Sequence, residues 1–372
     1  MATPTDPIWD RDPHTAKKHE IIRRYLQAWL PILLNTKLKA ITYAEGFAGP
    51  GTYTNGEPGS PVIAYAEALR ALAGRDGKKV MFALVEERAD RLEILKDQLA
   101  KAGAVHPKAP LWPRKGTCAE RLVPLLEEIG AFKTPIFALL DSWGGPVVPH
   151  AVLSRIAANP SSEVFVTFQP SYLARFGSVA QHRASGNAAF GSEEWQAVAG
   201  QPSHLKYAYL AEAYRASVKV SGFAHVLSFE LLDEQGHELH LVFGTNSVRG
   251  IEKMKDSMWK IDPIQGLRYR DPRDLDQESF EIALEPGTGP LRRLLRAHID
   301  TLAPRFTLED LQQFTLLETV YRPPHATAVV RALIREGVLE KLTPGPVGAK
   351  TEFRVAPVKS PPPDRGHQPA LF

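Results

Sequence analysis

The sequence predicts an α/β chain built on a mostly parallel sheet, with a smaller helical unit at its carboxyl end. Three observations carry that reading. Short apolar runs alternate with helix-period segments through the first half of the chain. The runs are continuously apolar, as strands covered on both faces should be. Near the end, three helical segments precede a short hairpin.

Residues 1–14 are rich in Pro and Asp and read as irregular. From Thr15 to Leu34, Ile21, Ile22, Tyr25, Leu26, Trp29 and Leu30 recur at helical spacing, giving one amphipathic helix or two. Ala40 to Ala44 is the first strand. Ser60 is placed to cap a helix with Pro61 at its first position. Further strands are expected at Val80–Val85, Pro110–Gly116, Pro135–Leu140 and Glu163–Phe168, with helices at Arg88–Ala102 and Ala119–Ile129 between them. Such alternation predicts a parallel sheet with helices on both faces. Residues 171–222 read as a helical insertion. Ala224–Leu232 and His237–Thr245 then alternate around a polar turn, an antiparallel hairpin that ends the sheet. The expected boundaries are 1–288 for this domain, 289–356 for the second, and 357–372 for a disordered Pro-rich tail.

Residues 262–290 are rich in Pro, Asp and Gly and read as a link to a helix at Leu291–Leu302. Two short helices (Leu308–Phe314, Leu316–Tyr321), a third at Ala326–Glu336, and a hairpin from Val338–Leu342 and Thr351–Val355 follow. Three helices and a two-stranded wing make a winged-helix pattern. His325, Arg331 and Arg335 are its candidate phosphate contacts. Seven Lys/Arg nearly balance six Asp/Glu over 304–356, so a protein-docking role stands beside the DNA-binding one.

The 372 residues are 44% apolar and 23% charged, ordinary for a globular chain. Lys and Arg exceed Asp and Glu by three (45 against 42), which permits nucleic-acid binding without arguing for it. The single Cys118 excludes an internal disulfide and a Cys-rich metal site, in keeping with a reducing cytoplasm. The longest apolar run near the start is broken by Pro31, so neither a membrane anchor nor a signal peptide is expected.

The chemistry gathers at strand ends. EGFAGPG (Glu45–Gly51) directly follows the first strand. Phe47, Ala48, Gly49 and Gly51 form a loop whose backbone can approach a ligand closely. The next helix begins only near Ser60, which suits a cofactor with an amino-acid end better than a pyrophosphate. Glu45 is expected to face the crevice at the carboxyl edge of the sheet. Glu86 ends the second strand, where a carboxylate would hold a ribose diol. Cys118 follows the third strand, in place for an adenine contact or as a small buried hydrophobe. Asp141 and Trp143 end the fourth. Asp141 could take or orient a proton and Trp143 could stack on a base, or the two are a cap and a core aromatic. Lys18 and His19 could bind a carboxylate or belong to a solvated basic face.

Taken together, KHEIIRRYLQAWLPIL, EGFAGPGTYTNGEPGSPVIA, FALVEER, DSWGGPVVP and LVFGTNSVRGIEKMKDSMWKID resemble the three-Cys-motif partner proteins, from about Lys17 to Asp262. The resemblance implies a Rossmann-like class I methyltransferase sheet with an antiparallel final strand and S-adenosylmethionine as cofactor, whose sulfonium makes transfer favourable, so that no metal is expected. It supports Lys18, His19, Glu45, Phe47 to Gly51, Glu86 and Asp141 as site residues. It also implies a partner, a phage-type protein with a three-cysteine motif, encoded beside it. The family more often has Asp at the position of Glu45 and DPFG where this chain has DSWG. The expected activity is methyl transfer to nucleic acid, DNA before RNA. The alternatives are a non-catalytic adaptor for a neighbouring enzyme and a nucleotide- or NAD-using enzyme. The ending Gln368-Pro369-Ala370-Leu371-Phe372 resembles the Gln-x-x-Leu-Phe peptide that binds the bacterial sliding clamp, with Leu371 and Phe372 as anchors. Lys253, Lys255, Asp256 and Trp259 are expected to pack the sheet edge or line the cleft.

Overall fold

A computed structural model describes residues 4–103, 106–143, 145, 147–177, 179–232, 238–260, 268–270, 280–281 and 288–357. The first helix, α1 (Pro13–Leu34), is one unbroken element. The Asp12 side chain accepts from the Thr15 amide at 2.8 Å, and Pro13 takes the first helical position, where an amide would lack a partner anyway. Pro31 lies in the last turn and does not end the helix.

Then come β1 (Ala40–Glu45), α2 (Ser60–Leu72), β2 (Lys79–Glu86), α3 (Ala89–Lys101), β3 (Leu111–Lys115), α4 (Cys118–Glu128), β4 (Ile136–Leu140), α5 (His150–Ala157) and β5 (Glu163–Phe168). Strands β3, β2, β1, β4 and β5 lie side by side, all parallel. The segment after β5 carries α6 (Pro170–Phe176), α7 (Ala180–Phe190) and α8 (Lys206–Val220). The chain then forms a hairpin of β6 (His225–Leu232) and β7 (Glu238–Thr245). The later strand β7 lies next to β5, antiparallel to it, and β6 lies outside. From β3 to β6 the order is therefore β3-β2-β1-β4-β5-β7-β6, a Rossmann-like α/β sheet closed by an antiparallel pair.

The sheet does not stop at the hairpin. After α9 (Val248–Met258), β8 (Arg268–Arg270) pairs with β6 and β9 (Phe280–Glu281) with β8. Part of the stretch expected as a link is thus strand.

The carboxyl-terminal unit comprises α10 (Gly289–Ile299), β10 (Phe306–Thr307), α11 (Leu308–Glu318), α12 (Pro323–Arg335), β11 (Leu339–Lys341) and β12 (Glu352–Val355), with strand order β10-β12-β11. The two short helices expected at 308–321 are one, α11, started by a capping box between Thr307 and Asp310. The third helix, expected from Ala326, starts at Pro323, and Pro323 and Pro324 form the first turn of α12, where missing amides cost nothing.

One apolar cluster runs from α1 and the sheet (Ile21, Tyr25, Phe137, Phe243) through Met254 to Leu295, Leu311, Val330 and Phe353 of the last unit. MKDSMW makes the joint. Lys255, buried at 0% exposure, donates to the carbonyls of Thr315 (2.8 Å), Leu316 (2.5 Å) and Tyr321 (2.8 Å). A lysine suits these carbonyls: Thr315 and Leu316 lie in the last turn of α11, which leaves them without helical partners, and Tyr321 follows its end. The Trp259 indole donates to the Val320 carbonyl at 2.9 Å. These two residues join the units and do not line the cleft. Among the described residues, no helix is long and apolar enough to cross a membrane.

Candidate active site

The carboxyl ends of β1 to β4 open into a cavity of about 580 Å³, covered on one side by residues 9–19. This volume falls within the range of small-molecule sites. Lys18, His19, Phe47, Ala48, Gly49, Gly51, Glu86, Cys118, Asp141 and Trp143 all line it.

The loop after β1 is pinned on three sides. The Ala48 amide donates to the Val85 carbonyl (2.9 Å), the Gly49 amide to a Glu86 carboxylate oxygen (2.8 Å), and the Gly59 amide to the Gly51 carbonyl (2.8 Å). Gly51 has φ of +73°, and a Cβ there would come within 2.8 Å of Leu95. A Cβ on Gly46 would meet the Cys118 sulfur at 2.5 Å. Both positions therefore require glycine.

Glu86 is 6% exposed and also accepts from the Arg88 amide at 2.9 Å. Two backbone donors fix the carboxylate, and its further lone pairs are free to meet hydroxyls. Cys118 is buried, and burial pushes its thiol up to about 12, so it is a packed wall residue and not a thiolate nucleophile.

Glu45 corrects the expectation made for it. It is fully buried and stands behind the cavity wall, accepting from the Tyr43 hydroxyl and from Ser60 Oγ at 2.9 Å. Burial raises its carboxyl to about 8, against the pull of those hydrogen bonds. Ser60, expected to cap α2, spends its hydroxyl on Glu45, and Gly59 takes the cap position without a side-chain bond.

Lys18 and His19 point inward, not to solvent. The Lys18 ammonium pairs with Asp141 at the cavity wall, the two side chains being 6% and 21% exposed. His19 is 4% exposed, and burial holds its imidazole well below the ordinary range, helped by Lys18. Its Nε2 lies 3.5 Å from the Tyr53 hydroxyl, and its Nδ1 has no hydrogen-bond partner among the described residues. An ion pair and a neutral ring with one unpartnered nitrogen at one end of a cavity are groups that can meet a zwitterion.

Aromatic rings frame the other part. Trp143 meets Trp9 edge-on at 5.7 Å, Trp9 meets Tyr53 at 6.0 Å, and the Arg91 guanidinium lies 4.6 Å over Trp9. Trp9 arrives on a strap held by Arg91 to the Pro4 (2.8 Å) and Asp6 (3.1 Å) carbonyls and by the Thr54 amide to Trp9's own carbonyl (3.1 Å). Trp9 and Arg91 belong to no motif, and Tyr53 lies in the EGFAGPGTYTNGEPGSPVIA segment without having been expected in the site. The one available signal was a tryptophan inside an otherwise polar, irregular segment.

In the last unit, Arg331 and Arg335 are exposed on α12. His325 is not, which overturns its reading as a phosphate contact. It is 8% exposed, packed edge-on against Trp259 (5.0 Å) and Tyr321 (5.8 Å), and accepts from the Arg322 amide at 3.2 Å. Burial lowers it to about 4, leaving a neutral ring that caps α12. Gln368, Leu371 and Phe372 lie outside the described residues.

No protein-family model matches this chain, and no curated protein does. Solved structures do. The chain is similar to EvdMO1 at 13% identity and a TM-score of 0.33, covering 62% of this chain and 42% of that one, less than half its length. It is similar to a putative O-methyltransferase from Klebsiella pneumoniae at 14% and 0.31 (64% and 91% covered). It is similar to the METTL16 MTase domain at 9% and 0.29 (59% and 66%).

Proposed function

We propose that the chain is an S-adenosylmethionine-dependent methyltransferase-like protein acting on nucleic acid, together with a three-cysteine-motif protein encoded nearby. The observation that carries this is one cavity lined by the Glu86 carboxylate and by the Lys18–Asp141 ion pair. S-adenosylmethionine has both a ribose and a free amino-acid end, so the residues present fit it. Lys18 and His19 would meet its carboxylate, Asp141 its ammonium, Glu86 its ribose, and the wall at Cys118 its adenine. When bound, the cofactor supplies an electrophilic methyl group. The chain's own part is alignment and exclusion of water. Trp143 and Trp9 offer faces and edges to a planar acceptor such as a base. Asp141, at the junction of the two parts, is the residue able to hold the acceptor's proton.

A dinucleotide reading is disfavoured by the late start of α2 at Ser60, which leaves no helix N-terminus directly after the EGFAGPG loop to receive a pyrophosphate.

Arg331 and Arg335 on α12 support a winged-helix-like role for the last unit, with DNA preferred over RNA. The Gln368–Phe372 ending is its proposed contact to the sliding clamp, checked by clamp binding before and after deletion of 368–372. Calorimetry with S-adenosylmethionine, its homocysteine product and NAD tests the cofactor. The expected result is binding of the first two and not the third. Labelled-methyl transfer to DNA, RNA and protein pools, with Asp141→Ala as control, tests the reaction. Cofactor binding without transfer would favour an adaptor.

A further inference from the structure

Two carboxylates and an imidazole meet on one face of the β6–β7 hairpin. Glu230 and His240 are direct cross-strand partners, and Glu238 precedes His240 by two residues on β7, so all three share a face. One ligand atom from each lies within 4.8 Å of the others. Glu230 and His240 are 0% and 1% exposed, whereas the Glu238 side chain is 18% exposed. Neither ring nitrogen of His240 has a hydrogen-bond partner among the described residues. Its Nε2 stands 3.9 Å from Glu238 Oε2, beyond hydrogen-bond reach. A buried imidazole with both nitrogens unsatisfied is costly, and coordination is one way to satisfy it.

We propose that Glu230, Glu238 and His240 bind one divalent transition-metal ion. Two oxygens and one imidazole nitrogen suit zinc or manganese. With ligand bonds of about 2.0–2.2 Å, the three side chains close in by roughly an ångström on loading. Three protein ligands leave a position for water or a substrate oxygen. Glu238, the most exposed of the three, marks the way in. His240 also sits opposite Phe168, the last residue of β5, and the next residue, Gln169, lines the cavity. Leu239, between the two β7 ligands, lines the cavity from the other face. The ion therefore sits at the same edge of the sheet as the cavity and ties β6 to β7 there.

Full-length protein stripped of metal and titrated calorimetrically with Zn2+, and separately with Mn2+, tests this without reference to methyl transfer. One saturable site per chain is expected for at least one ion, with a higher melting temperature when loaded. His240→Ala and Glu238→Gln should each weaken it at least about tenfold. Glu238→Gln changes a partly exposed position and keeps the test open should His240→Ala fail to fold. Absence of saturable binding, or equal affinity in folded His240→Ala or in Glu238→Gln, overturns the proposal. The cluster would then be a packing contact between β6 and β7 with no metal in it.

Discussion

Lys18 and Asp141 hold opposite charges against each other where water is scarce. A ligand must replace each charge's partner to enter, so the pair selects for ligands that carry both signs. Lys18→Met should lower affinity for S-adenosylmethionine about tenfold or more, as loss of a charged hydrogen bond costs about 1.5–3 kcal/mol. Affinity for methylthioadenosine, which has no amino-acid end, should hardly change. Equal losses for both, measured calorimetrically, would remove the zwitterion assignment. Glu45 and Glu163 give a second test. Burial raises them to about 8 and about 7 from 4.5. The folded state thus binds protons that the unfolded chain has already lost. Their contribution to stability is full below pH 4.5 and is lost as pH rises through about 7 and then 8. Melting temperature should fall over that window, and Glu45→Gln with Glu163→Gln should flatten the fall. The sequence made the acids at strand ends visible but not which way each one faces. Glu45 and Glu86 both end strands, yet one is behind the wall and the other in it. The difference lies in Tyr43 and Ser60, which supply Glu45 with partners inside.

Elements were more legible than single side chains, because hydrophobic period fixes them over many residues. The parallel strands, α1 to α4 and the antiparallel pair could be read from period and turn residues, whereas α5 was not expected. What periodicity could not supply was adjacency: nothing local says that β7, not β6, lies beside β5. One helix start was placed late, since α12 begins at Pro323 and not at Ala326. Two substitutions test element ends. Gly51→Ala places a side chain at φ +73°, at a cost of about 1–2 kcal/mol before its contact with Leu95 is counted. It should lower the melting temperature and weaken cofactor binding together. Thr307→Ala removes the acceptor for the Asp310 amide at 3.2 Å and should cost about 1 kcal/mol in denaturant unfolding, with no effect on the cavity.

Across the whole molecule, Lys255 is the buried connection between the sheet and the last three helices. Lys255→Met leaves three buried carbonyls without that donor, a loss of about 2–5 kcal/mol. The expected result is a single unfolding transition in the parent and two in the variant, followed by calorimetry. A single transition in both would show that the shared apolar cluster alone couples the units. The aromatic frame of the cavity has a use of its own. The chain has six tryptophans. Trp29, Trp195 and Trp259 are buried in packed core, whereas Trp9 and Trp143 line the cavity in contact with each other. Their indole emission should respond to anything that settles between them, so the protein carries its own optical gauge of occupancy and needs no attached dye.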